Sequence, residues 1–432
     1  MAKQATILFL FLFFILSGCA QDEIYRSDIS ECFVTAANKC GTHSYQHYKN
    51  EAGIEYSLAT VEIDDQGQLL KREQLDFVVN KLEREPSALI IVYIHGWHHN
   101  AQGETDNEYE DMNIQNFRNQ LAIISTGENK NSNPRKVFGV YIGWRGDSIE
   151  LEGLNVATFW DRKNTAEEVG NLALTEILLR LEDIRDKKPK SRLVVVGHSF
   201  GGAAVFRATA QIFADRFLKK HDNGNYKNAS NVREGFGDLV VLINPAFEAL
   251  RYAPLYEIAQ SDCIDNPEQK PILAILTSEG DWATGNLFPI GRFPYTLPET
   301  HHKVEREFCQ NKWKYTLAEG EADWTTVGHF DQFYTHTLKH LSEETPRTEE
   351  SSKKSYSLNL EPTSERCKNT TGEIKFDEIN LVLNHSKKTN LHNPYLNILV
   401  SKDIIEGHND IFKPEITGFI TSLIRYTLRD EK

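Results

Sequence analysis

Neither a Cys-x-x-Cys pair nor a His-Glu-x-x-His motif occurs in this chain of 432 residues. The first absence leaves little room for a metal or redox box, and the second removes the helical zinc-protease site. Beyond the opening residues there is no second long apolar run, so nothing else reads as a membrane span. Positive charge is also short, with 48 Lys and Arg against 62 Asp and Glu, a formal net charge of −14. That balance argues against nucleic acid as a partner and against adsorption on anionic lipid. No internal repeat is visible.

What is present is a strand, a tight turn and a helix in direct succession. Leu193–Val196 is a short apolar run, Gly197-His198-Ser199-Phe200-Gly201 is a Gly-x-Ser-x-Gly turn, and Ala203 onward has helical character. Glycines flank Ser199 because side chains would collide across so sharp a bend. Further apolar strands are expected at Ile54–Ile63, Ala88–Ile94, Val137–Ile142, Leu239–Ile243, Ile272–Leu276 and Leu396–Val400. Helical spacing appears at Leu70–Leu82, Thr165–Asp186 and Pro414–Arg425. Apolar strands alternating with helices imply an α/β fold, a mostly parallel, doubly wound sheet covered on both faces.

In such a sheet the ligand sits beyond the carboxyl ends of the strands, so the residues following each strand are the candidates. Ser199, Asp281 and His408 each follow a strand, in that order. The arrangement resembles the α/β-hydrolase superfamily from about Ile54 to Arg425, whose chain order is Ser, then Asp or Glu, then His. The segments His95–Ala101 (HGWHHNA) and Gly407–Asp410 (GHND) look similar to those of bacterial exported hydrolases. The resemblance implies Ser199 as nucleophile, His408 as base and Asp281 as its orienting acid. It also implies an oxyanion hole made by the backbone N–H groups of Phe200 and Trp97. Competing residues are Glu248 and Glu279 for the acid and His329 and His336 for the base. Ser148, in Gly146-Asp147-Ser148, is a competing nucleophile. His95, His98 and His99 lack the spacing and acidic company of a metal site, so no metal and no cofactor is expected. His95 reads as a hydrogen-bonding support for its loop.

The expected reaction is cleavage of small-molecule carboxylic esters, acyl or aromatic, through an acyl-enzyme. Alternatives are acyl transfer or peptide cleavage with the same three residues, and a non-catalytic binding lipoprotein on the same fold. Trp97, Trp144 and Trp282 suggest an apolar pocket.

The first 18 residues read as a secretory signal, with one Lys and an apolar run from Ala5 to Leu16. Leu16-Ser17-Gly18-Cys19 resembles the bacterial lipobox, which implies lipidation of Cys19, export, and anchorage to a bacterial membrane. Ala20 after the Cys resembles the pattern sent to the outer membrane. Residues 19–50 read as a tether, 51–281 as the first part of the core, and 391–432 as its last strand and helix. Between them, 282–390 reads as a cap-like insertion outside the sheet, with a mobile stretch at 343–373. Export makes disulfides plausible, and Cys32 with Cys40 is the simplest pair; the connectivity stays open.

Overall fold

The computed structural model describes residues 24–146, 159–222, 232–263, 265–309, 312–341 and 373–428. The apolar leader, Cys19, Ser148, Cys367 and nearly all of 343–373 lie outside the described residues.

Twelve strands form one sheet in the order β1-β2-β3-β5-β4-β6-β7-β8-β14-β11-β13-β12. They are β1 (Asp28–Phe33), β2 (His43–Lys49), β3 (Glu55–Glu62), β4 (Ala88–Ile94), β5 (Lys136–Gly143), β6 (Arg192–His198) and β7 (Leu239–Ile243). Beyond these come β8 (Leu273–Ser278), β11 (His336–His340), β12 (Glu373–Phe376), β13 (Leu381–His385) and β14 (Tyr395–Val400). β9 (Lys303–Phe308) and β10 (Trp313–Ala318) form a separate antiparallel hairpin. The eight central strands from β3 to β11 are parallel neighbours throughout.

The central strands are apolar on both faces because both faces are covered. On β4, Ile90, Val92 and Ile94 point into one core, while Leu89, Ile91 and Tyr93 point into the other. The first core is closed by α1 (Arg72–Arg84), α3 (Phe159–Asn171), α4 (Ala173–Lys187), α5 (Phe200–Asp222) and α6 (Ala249–Ser261). The second is closed by α2 (Met112–Glu128) and by the last helix, Pro414–Thr427. Leu75, Val78 and Leu82 bury one stripe of α1. Asp111 caps α2 by accepting the Asn113 N–H at 2.8 Å. Pro414 begins the last helix, where a missing N–H costs nothing.

Three expectations change. The helix expected over Thr165–Asp186 is two helices that break at Leu172, whose backbone is not helical. Just before the break Gly170 packs against α5: an added Cβ would lie 2.6 Å from the Ala204 carbonyl oxygen, so only glycine allows that approach. Residues 24–50 are not a free tether, because β1 and β2 extend the sheet and Cys32 is bonded to Cys40. Their polarity is that of an edge, with Tyr45 and Tyr48 turned inward. Residues 282–390 are not wholly outside the sheet either. β11 pairs parallel to β14, and β13 and β12 continue from it antiparallel. Leu338, Leu381 and Leu383 enter the second core there. The part beyond the sheet runs from Trp282 to about residue 335. It holds the hairpin and two short helices, α7 (Phe288–Thr296) and α8 (Glu319–Trp324). A second disulfide, Cys263–Cys309, ties that part to the end of α6.

Candidate active site

The chain leaves β4 toward β5 on one side and then returns across β4 to β6 on the other. Loops after β4 and β6 therefore diverge, which opens a crevice at their carboxyl ends. Ser199 stands there, between β6 and α5, with φ of 55°. That left-handed backbone is costly for a non-glycine residue and is held from both sides. The Ser199 N–H donates to the Ile243 carbonyl at 3.0 Å, and the Ser199 carbonyl accepts from Ala203 and Ala246, each at 3.1 Å. Gly96 lies against the serine, since a Cβ there would come within 2.7 Å of Ser199 Cβ.

The structure brings Ser199, Asp281 and His408 together. His408 Nε2 is 2.7 Å from Ser199 Oγ, and His408 Nδ1 is 2.9 Å from each Asp281 carboxylate oxygen. A carboxylate only accepts, so Nδ1 carries the proton and Nε2 faces the serine as an acceptor. An imidazole so placed can take a hydroxyl proton and hand it on. Asp281 also accepts N–H bonds from Ala283 at 3.0 Å and Thr284 at 3.2 Å, together with the Thr284 hydroxyl. Burial pushes its carboxyl up, but the electrostatic attraction and hydrogen bond of His408 and the hydrogen bonds from Thr284 outweigh this and hold it below the usual 3.8.

Several positioning groups had escaped the sequence reading. The His408 carbonyl accepts from His198 Nε2 at 2.9 Å and from Asn244 Nδ2 at 3.0 Å. Asn244 Oδ1 in turn accepts the Ser278 N–H at 3.0 Å, tying the ends of β7 and β8 to the histidine loop. All three follow or end strands, which marked their place; the sequence carried no sign of their partner.

The competing residues are engaged elsewhere. Glu248 is buried against Lys163 at 2.9 Å and Arg251 at 3.0 Å. Glu279 is exposed. His336 lies on β11, bonded to Thr335 Oγ1 at 2.9 Å. His329 is 3.1 Å from Thr284 Oγ1 and reaches Asp281 only through it.

Phe200 opens α5, so its N–H belongs to the first-turn donors that have no acceptor within the helix. Trp97 follows Gly96, and no acceptor faces its N–H among the described residues. The Trp97, Phe159, Phe200 and Phe288 rings form an aromatic wall, with centroids 4.9 to 6.5 Å apart. Trp144 and Trp282 do not extend it. Trp144 is buried against His95 (centroids 5.4 Å apart), and Trp282 is 61% exposed.

His95 is used within its own loop. Its Nδ1–H donates to the Gly96 carbonyl at 2.8 Å, and its Nε2 accepts the Trp144 N–H at 3.1 Å. Burial pushes this ring down to about 4, and burial with the adjacent His385 pushes His336 down to about 3. In the unfolded chain both titrate near the usual value of about 6.5. Between about pH 6.5 and 4 the unfolded chain therefore holds more protons, and stability falls as pH falls through that window. The unfolding free energy from urea titration is expected to be lower at pH 5 than at pH 7, by roughly 2 kcal/mol per histidine. Replacing His336 with Gln is expected to shrink the difference.

Among the described residues, Glu299, His301 and Asp323 form the one cluster with metal-ligating spacing. The Arg292 guanidinium stands 2.9 and 3.1 Å from the two Asp323 oxygens and 3.6 Å from Glu299. A fixed cation there already balances the carboxylates and repels a second one, so the cluster is an ion-pair network.

The fold and site define a doubly wound α/β protein with a hydrogen-bonded serine, histidine and aspartate at the carboxyl edge of its sheet. Comparison with family models, curated proteins and solved structures finds no match.

Proposed function

We propose that this protein is a serine hydrolase of the α/β-hydrolase type that cleaves carboxylic esters through an acyl-enzyme. The observation that carries the reading is the 2.7 Å contact between Ser199 Oγ and His408 Nε2, backed by buried Asp281. In the proposed reaction Ser199 Oγ bonds to the acyl carbon while His408 Nε2 takes its proton. The carbonyl oxygen becomes negative and receives the N–H groups of Phe200 and Trp97. Collapse breaks the bond to the alcohol, which leaves with the proton from His408. Water then attacks the acyl-serine and gives a proton to His408, which returns it to Ser199 Oγ as that bond to the acyl carbon breaks, leaving the acid and free serine. Asp281 stays ionised throughout and stabilises the imidazolium. Partly buried Trp97, next to Gly96 and packed on Phe159 and Phe200, favours acyl or aromatic esters.

We also propose export and lipid anchorage at Cys19 to a bacterial membrane, the outer one by the Ala20 pattern. The two disulfides support an oxidising compartment. No helix among the described residues is long and apolar enough to cross a membrane, so attachment would rest on the lipid.

The test is labelling of the folded protein by a fluorophosphonate, with Ser199→Ala alongside. Wild type is expected to label and Ser199→Ala to remain blank, with ester hydrolysis falling about 10⁴-fold or more. A folded wild-type sample that neither labels nor hydrolyses esters would overturn the proposal. Products formed with an added alcohol separate hydrolysis from acyl transfer.

A further inference from the structure

We infer that Thr284 and His329 are positioning residues that extend the chain Ser199–His408–Asp281 by two members and fix the Asp281 carboxylate behind the imidazole. This deepens the serine-hydrolase reading and rests on it.

Thr284 is buried and its hydroxyl has one proton. That oxygen meets two groups, Asp281 Oδ2 in a short contact and His329 Nε2 at 3.1 Å. The carboxylate can only accept, so the hydroxyl proton goes to Asp281. His329 Nε2 must then be the donor, so the ring carries a proton on Nε2. Burial lowers the pKa of His329, and the nearby His408 acts in the same direction against the opposing pull of Asp281. The direction of every hydrogen bond from His329 to Ser199 is thereby determined.

The loop that presents His329 is held by four hydrogen bonds. The Val327 N–H donates to the Phe247 carbonyl at 3.1 Å, and Asn397 Nδ2 of β14 donates to the Val327 carbonyl at 3.0 Å. The His329 N–H donates to Thr326 at 3.0 Å, and the Thr326 hydroxyl donates to the Thr284 carbonyl at 3.1 Å. Gly328 has no room for a side chain, because a Cβ would overlap the Thr277 hydroxyl. A Cβ on Gly285 would come within 3.2 Å of the His329 ring. The turn thus delivers one imidazole edge to one hydroxyl.

The experiment combines ester kinetics with proton NMR of the His408 Nδ1–H in Thr284→Val, Thr284→Ser, His329→Phe, His329→Gln and the Thr284→Val/His329→Phe double variant. Thr284→Val is expected to lower kcat about 10- to 100-fold with KM nearly unchanged, and to move the acid limb of the pH profile upward. Thr284→Ser and His329→Gln keep a donor in place and are expected to restore most of the rate. The double variant is expected to be no worse than Thr284→Val, because His329 acts through Thr284. The Nδ1–H resonance is expected to shift in Thr284→Val and His329→Phe whether or not the protein turns over. A resonance and a rate unmoved by both substitutions would overturn the inference while leaving Ser199 labelling intact. Additive losses in the double variant would remove His329 from the chain. Loss of wild-type labelling would strike the hydrolase reading, and the resonance would still decide the hydrogen-bond network.

Discussion

Replacing His408 with alanine is expected to abolish fluorophosphonate labelling and to lower kcat for ester hydrolysis by about 10⁴- to 10⁶-fold. His408 Nε2 is the acceptor that stands 2.7 Å from Ser199 Oγ. Without it the hydroxyl keeps its proton and remains a weak nucleophile at neutral pH. His329→Ala is the control, because that ring touches Thr284 and is separated from Ser199 by three intervening groups. Its loss is expected to cost about tenfold, the scale of one hydrogen bond in a supporting position. Equal losses in the two variants would contradict the assigned order. A substitution of His408 that left labelling unchanged would remove the histidine from the reaction altogether.

Gly201→Ala is expected to damage both folding and rate. A Cβ at this position would overlap the carbonyl oxygens of Ile94 and His95, which are backbone and cannot swing aside. Either α5 must withdraw or the end of β4 must move. Overpacking of this kind costs roughly 1–3 kcal/mol, and the rigid backbone on one side places Gly201 at the upper end. The loop that would move carries Gly96 and Trp97. Displacing the Trp97 N–H removes one proposed donor to the developing oxyanion, worth a further ~10²–10³-fold in kcat. Urea unfolding and labelling rate, measured on the same sample, separate the two effects. An alanine variant with wild-type midpoint and rate would show that the turn around Ser199 tolerates the extra carbon.

The sequence displayed the centre of the molecule well. β4 and β7 have the expected ends because each is an uninterrupted apolar run between polar loops. The meeting of Ser199, Asp281 and His408 was legible because the loops after neighbouring parallel strands gather at one edge of the sheet. The edges were harder. β2 places Tyr45 and Tyr48 inside a sequence that otherwise reads as polar, and burial there depends on β3 as a partner. β13 looks isolated until β11 pairs with it, which local composition does not reveal. Thr284, Asn244 and Ser278 are small polar residues of types common in every loop. Their contacts include groups 34 to 164 positions away along the chain.

The site is spread across the chain from Trp97 to His408, and its histidine arrives last. During synthesis, a polypeptide emerging amino end first completes β6, α5 and the loop with Asp281 well before β14 and its following loop exist. Until then the serine and the carboxylate have no imidazole between them, and β11 and β8 have not gained the strand that joins them. Completion of the last strand thus joins the two parts of the sheet, and the loop after it brings the imidazole. A chain cut short before it would carry the serine without the residue proposed to activate it.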